Sequence, residues 1–181
     1  MKFHKPIFVC AALAAAASLA MVMIFLSHIR LYQNPTVAMQ PTLTNGDRIV
    51  AEDFTYLWRR PARGEVVAFH SKGLTGVATD SIFVKRVIGL PGETIQIKDH
   101  KAYVDGVPFS KPGIRYTNLP TSSHLSSEAD SFTVPSDSYF VLGDNSDNSL
   151  DSRFFGAIPA GAIISRVAMR CWPPGRIGLV Q

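Results

Sequence analysis

The chain has 181 residues, of which 46% are hydrophobic and 18% are charged, so it is long enough for one folded domain and an appendage. Its net charge of +4 comes mainly from the first 30 residues, where Lys2, Lys5 and Arg30 have no acidic counterpart, and the rest holds 15 basic and 14 acidic residues. A nearly neutral domain argues against a nucleic-acid partner, because phosphate binding requires a basic surface. Cys10 and Cys171 give no disulfide framework, and we expect no metal and no cofactor.

The first predicted element is a membrane-spanning helix. Residues 7–26, "IFVCAALAAAASLAMVMIFL", form an uncharged run that as a helix spans about 30 Å, the thickness of the hydrocarbon core of a bilayer. A cleaved secretory signal is the alternative, but its apolar stretch is usually only about 7 to 15 residues long. Basic residues before the run favour a cytoplasmic start. We therefore expect a cytoplasmic N-terminus at 1–6, a transmembrane helix at 7–29 and an extracytoplasmic domain at 30–181.

The segment "NPTVAMQPTL", residues 34–43, follows the helix. Pro35 and Pro41 stiffen it, and Thr36 and Thr42 supply hydroxyl groups. Its centre carries only the methyl group of Ala38. Taken alone, the segment is interpreted as a linker between helix and domain.

Short apolar or alternating runs divided by turn residues make up most of the remaining chain. Many short strands and no second long helical pattern predict a mostly β domain. The stretch 110–130 is rich in Ser, Thr, Pro and Gly and is predicted to be a surface excursion. The predicted strands are 48–54, 64–70, 81–90, 94–99, 101–106, 131–135, 138–143 and 162–172.

One predicted strand contains "SIFVKRVIGLPGE", residues 81–93. Strand alternation puts Phe83, Lys85 and Val87 on one face, so the lysine has apolar neighbours on its own side. Burial lowers the pKa of a lysine and can make it a general base near neutral pH. The alternative is an ordinary strand lysine whose amine reaches water over an apolar stem.

A polar stretch, "GDNSDNSLDSRFFGAIP", occupies residues 143–159. A calcium loop is excluded because its sixth position is Ser149 instead of Gly and its twelfth is Phe155 instead of Glu. The spacing of Asp151 and Arg153 suggests an ion pair that fixes the loop, with Ser149 directed inward. A solvated surface loop is the alternative interpretation.

Together, these stretches resemble the bacterial type I signal peptidases, membrane proteases with a Ser-Lys dyad that remove signal peptides from exported proteins. "PTVAMQPTL" is similar to the nucleophile box of this family, "RGEVVAF" to its next strand, "FVKRVIGLPGE" to its lysine box and "GDNSDNSLDSRFFGAIP" to its C-terminal box. The matches run in order from Pro35 to Pro159. The resemblance implies an antiparallel β-sheet catalytic domain behind one transmembrane helix, on the outer side of the bacterial inner membrane.

The resemblance also implies a role for each matching residue. Lys85 is the general base, Thr36 and the backbone amide of residue 38 form the oxyanion hole, and Ser149 orients the lysine amine. Asp151 and Arg153 support the loop. The positions that match substrate pockets are Tyr32, Pro35, Leu43, Phe83 and Val84. The implied partners are signal peptides with Ala-x-Ala sites and the lipid bilayer.

The departure from the family pattern is Ala38, which stands where the family has its nucleophilic serine. An alanine methyl group cannot attack a carbonyl, so the chain as written is expected to be inactive. We favour a Ser-to-Ala variant of an active enzyme, made to trap substrate or to prevent self-cleavage. Two alternatives stay open: a natural pseudoenzyme that binds signal peptides without cleaving them, and a conjugative-transfer-type maturation peptidase of the same family.

Overall fold

The computed structural model describes residues 5–77, 80–111, 114, 116, 125, 127 and 129–180. Residues 1–4 of the expected cytoplasmic N-terminus and most of the expected excursion at 110–130 lie outside these ranges.

The N-terminal element is helix α1, Lys5–Ser27. Its 23 residues span about 35 Å, and alanine and other good helix formers dominate its sequence. Within it, Val9–Ser27 is long and apolar enough to cross a membrane, and none of this stretch is buried against the rest of the protein. The helix ends two residues before the expected boundary at 29, and only His28 separates it from the first strand.

Eight strands form a large antiparallel sheet in the order β1, β2, β11, β3, β4, β9, β10, with β12 also paired to β11. The long strand β11 joins the sheet together, because it pairs with β3 over its first half and with β2 and β12 over its second half. The strands are β1 (Ile29–Gln33), β2 (Arg48–Glu52), β3 (Val66–His70), β4 (Ile82–Gly89), β9 (Ser138–Leu142), β10 (Ile158–Pro159), β11 (Ile163–Trp172) and β12 (Gly178–Leu179).

Four further strands form a small antiparallel sheet in the order β7, β6, β5, β8. Their bounds are β5 (Thr94–Lys98), β6 (Lys101–Val104), β7 (Val107–Phe109) and β8 (Phe132–Thr133). A two-residue turn joins β6 to β7, and Asp105 and Gly106 both have positive φ there, as a tight hairpin requires. The one short α-helix after α1, named α2, is Ser152–Phe155 among the described residues.

Three clusters of buried apolar side chains hold the domain together. One cluster fills the space between the small sheet and the inner ends of β4 and β9, and includes Ile88, Ile95 and Phe140. A second cluster lies around Phe69, Val87 and Phe155. The third packs the segment after β1 against β2 and β11, and includes Met39, Leu43, Ile49 and Val167.

All eight strands predicted from sequence form strands here, with ends shifted by a few residues. The mostly β prediction with one N-terminal apolar helix is therefore confirmed. Strands β1, β7, β10 and β12 were not predicted. Each of them has five residues or fewer, and each forms because a neighbouring strand offers free backbone groups.

Candidate active site

A cavity of about 210 Å³ brings together the segment after β1, the start of β4 and the loop after β9. It contains the alanine at the expected nucleophile position and the lysine expected to be the base. The residues that line it are Asn34, Pro35, Thr36, Ala38, Ile82, Phe83, Val84, Lys85, Asn148 and Leu150. Six residues that the sequence assigned to a site thus share one cavity.

The segment that carries Ala38 is firmly held and does not behave as a loose linker. The buried amide of Asn34 donates hydrogen bonds to the carbonyls of Thr36 and Thr44, at 2.9 Å each. Farther along, the Leu43 amide donates to the Met39 carbonyl at 2.8 Å, and both of these side chains are fully buried. The turn is therefore tied at both ends, and it presents residue 38 to the cavity.

The loop after β9 packs directly on this turn. The Asn145 backbone amide donates to the Ala38 carbonyl at 3.0 Å, and the Asn145 side chain donates to the Val37 carbonyl at 3.1 Å. A Cβ atom added to Gly143 would lie 2.1 Å from Ser149 Oγ and 2.6 Å from the Ala38 carbonyl oxygen. Only glycine leaves room for this approach. The Ala38 amide donates no hydrogen bond to any described residue.

Lys85 enters the cavity from the start of β4. Its side chain is only 6% exposed, and its Nζ lies 5.4 Å from the centre of the Phe83 ring. Within the described chain, the amine has no hydrogen-bond or ion-pair partner. Burial lowers the pKa of Lys85 to about 8; the carboxylate of Asp151 opposes this shift and the guanidinium of Arg153 adds to it. A large fraction of the amine is therefore neutral in mildly alkaline solution.

Ser149 lies beside Ala38 but makes no hydrogen bond to Lys85. Its Oγ is buried and has no hydrogen-bond partner among the residues described. The expected orientation of the lysine amine by this hydroxyl is thus not a feature of this structure, and it stays a prediction for the substrate complex.

Asp151 and Arg153 form a fully buried ion pair. Two contacts join them, from Arg153 Nε to Asp151 Oδ1 at 2.9 Å and from Arg153 Nη2 to Asp151 Oδ2 at 3.0 Å. Asp151 Oδ2 also accepts from the Gly143 amide at 3.0 Å, and Arg153 Nη1 donates to Ser146 Oγ at 2.7 Å. The pair thereby links both ends of the loop that contacts Ala38.

A second buried ion pair, Arg86 with Asp144, was missed from sequence. Arg86 donates to the two carboxylate oxygens at 2.8 and 2.6 Å, and neither side chain is exposed. The Thr42 hydroxyl donates to Asp144 and accepts from Arg86. Three of the four matched boxes, the nucleophile box, the lysine box and the C-terminal box, thus supply one member each of this cluster. The sequence did contain a signal for the burial of Arg86. It directly follows Lys85 in an apolar strand, so strand alternation directs its side chain to the opposite face, which is also apolar.

Two of the expected pocket residues lie outside the cavity lining. Leu43 is fully buried in the third core cluster, because the turn directs its side chain toward Met39 and Ile49. Tyr32 is half-buried and packs against the same cluster. The Thr36 hydroxyl lines the cavity and makes one long contact, 3.5 Å, with the Asn34 side chain. Across the described ranges, no group of three His, Cys, Asp or Glu side chains is arranged to hold a metal ion.

The sequence matches the family described as "Signal peptidase, peptidase S26" over residues 6–172. It is 38% identical over 147 residues to a signal peptidase I of Leptolyngbya laminosa, covering 80% of this chain and 69% of that protein. It is 36% identical over 147 residues to a probable signal peptidase I-2 of Synechocystis sp., covering 81% of this chain and 64% of that protein.

Two further similarities extend this set. The chain is 29% identical over 183 residues to the chloroplast thylakoidal processing peptidase 1 of Arabidopsis thaliana, covering 96% of this chain and 52% of that protein. The crystal structure of a signal peptidase I from Enterococcus faecalis superposes with a TM-score of 0.47 at 32% identity, over 60% of this chain and 97% of that one.

Proposed function

The chain belongs to the signal peptidase family, peptidase S26, and from this premise we propose that its serine-38 form is a type I signal peptidase that removes signal peptides from exported preproteins. One observation carries the proposal: Lys85 is buried and unpaired within the described chain, and it shares a cavity with residue 38. A lysine in this state is able to accept a proton from a neighbouring serine hydroxyl.

In the proposed reaction, the serine oxygen attacks the scissile carbonyl while Lys85 takes the hydroxyl proton. The resulting oxyanion accepts hydrogen bonds from the backbone amide of residue 38 and the Thr36 hydroxyl. Lys85 then gives the proton to the leaving amine, and water hydrolyses the acyl-enzyme. Asp151 and Arg153 maintain the loop against residue 38, and Ser149 orients the Lys85 amine in the substrate complex. With Ala38, no acyl-enzyme forms, so we propose that the chain as written binds signal peptides without cleaving them.

The backbone of β4 supplies a place for an extended substrate. Residues 82–85 pair with β3 on one side, whereas pairing with β9 begins only at Arg86. Within the described residues, the other edge of the start of β4 is therefore open beside the cavity. An extended peptide can add there as a further strand, with Pro35, Phe83 and Val84 receiving its small side chains. Tyr32 and Leu43 would shape these pockets from behind.

The proposed membrane arrangement rests on α1 and on an exposed apolar row. Leu31, Val50, Met169 and Leu179 are directly paired across β1, β2, β11 and β12, and so lie on one face of the sheet. Leu31 and Leu179 are 72% and 74% exposed. Because β1 begins two residues after α1 ends, this row lies close to the end of the helix. We propose that α1 spans the bacterial inner membrane, N-terminus inside, and that the row contacts the outer lipid surface.

The test is the Ala38→Ser variant, reconstituted in vesicles with a preprotein that carries an Ala-x-Ala site. We expect processing by the serine variant and none by the chain as written. The serine variant with Lys85→Met is the matched control and should lose processing, because the base is gone. Intact preprotein after prolonged incubation with folded Ala38→Ser protein would disprove the proposal.

A non-cleaving signal-peptide receptor is the second candidate, and the observation in its favour is Ala38 itself. It predicts tight binding without turnover even when serine is restored. A conjugative-transfer-type maturation peptidase predicts turnover of a specialised substrate and no processing of ordinary preproteins. A panel of both substrate classes, measured on Ala38→Ser, separates these two from the proposal above.

A further inference from the structure

The cavity holds a nucleophilic group that has no partner among the residues the structure describes. Lys85 is 6% exposed and lines the cavity, and its amine makes neither a hydrogen bond nor an ion pair with the described residues. With Ala38 in place, the serine hydroxyl that would form a hydrogen bond with this amine is absent. A primary amine held in an apolar cavity that is open to small molecules is a site for attack on a small electrophile.

Hydrogen-bond donors that have no close acceptor among the described residues lie at this cavity and beside it. Ser149 Oγ is buried and unpartnered within the described chain, and it lies less than about 5 Å from the Ala38 carbonyl oxygen, since both atoms are within 2.6 Å of one point. The Ala38 amide is not used by any described acceptor. The Thr36 hydroxyl donates one long hydrogen bond, 3.5 Å, to the Asn34 side chain. Two of these donors belong to residues that line the cavity together with Lys85, and the third lies beside Ala38, so the group forms a setting for a small anion.

We propose that Lys85 is a site of reversible carboxylation by carbon dioxide, and that Ser149 and the Ala38 amide hold the carbamate product. In this step the lone pair of Lys85 Nζ attacks the carbon of CO₂, a C–N bond forms, one C–O π bond opens to a carboxylate oxygen, and the nitrogen releases one proton to solvent. No oxidant, reductant or metal is needed. The product is a lysine N-carboxylate with one negative charge.

The electrostatic surroundings allow this charge. The nearest carboxylates are already neutralised, because Asp151 is paired with Arg153 and Asp144 with Arg86. The burial that lowers the pKa of Lys85 keeps a share of the amine neutral and reactive. A carbamate with two or three hydrogen bonds is better satisfied in this cavity than an ammonium group with none.

The carboxylation is independent of the proposed peptidase function, because it requires neither a serine at residue 38 nor a substrate. It has a consequence for that function, however. A carboxylated lysine has no basic lone pair, so bicarbonate would oppose both proton transfer and the entry of a peptide into the cavity.

The experiment uses the full chain with Ala38 in detergent micelles, equilibrated with ¹³C-labelled bicarbonate at mildly alkaline pH. We expect one protein-bound carbamate resonance in the ¹³C spectrum. Trapping with a trialkyloxonium salt, digestion and mass spectrometry should place the esterified carbamate on Lys85. The site is thus located without any substitution.

Three variants complete the test. Lys85→Met should abolish the resonance, and Lys98→Met should keep it, since Lys98 is also a strand lysine beside an aromatic ring, 4.6 Å from that of Tyr103. Ser149→Ala should weaken the apparent affinity for CO₂ by about tenfold, because a charged acceptor loses a donor. No carbamate in folded protein at saturating bicarbonate, a resonance that survives Lys85→Met, or a trapped group on another lysine would overturn the proposal. Failure of Ala38→Ser to process a preprotein would leave this result unchanged.

Discussion

Lys85 lies between Phe83 and Val87 on one face of β4, and this position is unfavourable for a charged side chain. The amine loses most of its hydration and gains no hydrogen bond or ion pair from the described residues. Folding therefore lowers the pKa of Lys85 to about 8, against an ordinary value of 10.5. The same property that makes the lysine a competent base makes it a destabilising residue.

The first prediction concerns the stability of Lys85→Met. The unfolded lysine binds a proton more tightly than the folded one, so the charged form opposes folding at every pH below about 8. We expect the variant to be more stable than the parent at pH 7, by about 3 kcal/mol. This gain should shrink as the pH rises from 8 to 10.5 and vanish above it. Reversible denaturation in micelles, followed by tryptophan fluorescence, measures this gain in stability at pH 7 and above pH 10.5. An equal gain at the two pH values would contradict the prediction.

Strand alternation was sufficient to place Lys85 on the same face as Phe83 and Val87, because its period of two needs no tertiary information, but it left open whether the amine reaches water. The unpaired hydroxyl of Ser149 was not predictable in this way. Its isolation depends on the position of Gly143 and on the path of the loop after β9, which bring residues distant in sequence into contact. The resemblance could assign Ser149 a role but could not show where its hydrogen bond goes.

At the scale of elements, the site depends on how the loop after β9 packs against the turn that carries residue 38. Asn145 supplies two hydrogen bonds to this turn, and Gly143 allows the two backbones to approach. The loop in turn is held by Asp151 and Arg153. A change at the contact should therefore affect the site more than the fold.

Gly143→Ala tests this contact in the Ala38→Ser background. An added methyl group would overlap Ser149 Oγ and the Ala38 carbonyl, so the turn must shift. We expect processing of a preprotein to fall by about 10², the usual effect of a shift of about 1 Å at a reacting centre. Gly161→Ala is the control and should keep full activity, because nothing lies within 4 Å of its new methyl group. Unchanged rates in both variants would show that the contact is not needed.

The Arg86–Asp144 pair should matter for stability. Arg86→Met leaves the Asp144 carboxylate buried without its main partner, and we expect a loss of about 3 to 5 kcal/mol in the free energy of unfolding. The double variant Arg86→Met with Asp144→Leu should lose less, since no charge remains buried. Arg60→Met removes the exposed pair with Asp137 and should change stability by less than about 1 kcal/mol. If Arg86→Met were as stable as the parent, the Arg86–Asp144 pair would not have the stabilising role that we expect.

Sequence reasoning recovered eight strands, including the two-residue β8, because their β-branched and aromatic residues stand between clear turn signals. It missed β1, β7, β10 and β12, which have five residues or fewer. Such strands depend on an available neighbour: β12 exists because β3 leaves the second half of β11 unpaired. Pairing of this kind is a property of the assembled sheet and leaves no periodicity in a short segment.

At the scale of the whole molecule, α1 and the domain are joined by several contacts. The Phe25 and Phe54 rings lie 5.3 Å apart, and His28 Nδ1 lies 2.5 Å from Asp53 Oδ1. Trp58, which follows this contact region, is 86% exposed. The end of the helix therefore packs against the segment that leads to the exposed Trp58.

The two tryptophans of the chain, Trp58 and Trp172, report on the proposed lipid contact. We expect brominated lipids to quench both in full-length protein reconstituted in vesicles, since both residues are exposed and amphipathic. Trp58→Phe and Trp172→Phe isolate the two signals. Replacing Leu31 and Leu179 with glutamate should reduce the quenching of Trp172, which lies on the neighbouring row of the same sheet face. Quenching equal to that in detergent without brominated lipid would argue against contact.

The connection from α1 through β1 has a further consequence for how a substrate is met. From the end of the helix to Asn34 the chain runs through one five-residue strand, which covers about 17 Å, and that strand is fixed to β2 along its whole length. The domain is therefore not joined to the helix by a long flexible linker. If α1 is the membrane anchor, β1 fixes the distance between the bilayer and the cavity. We then expect the site to select peptide bonds by their distance from the membrane as well as by their side chains.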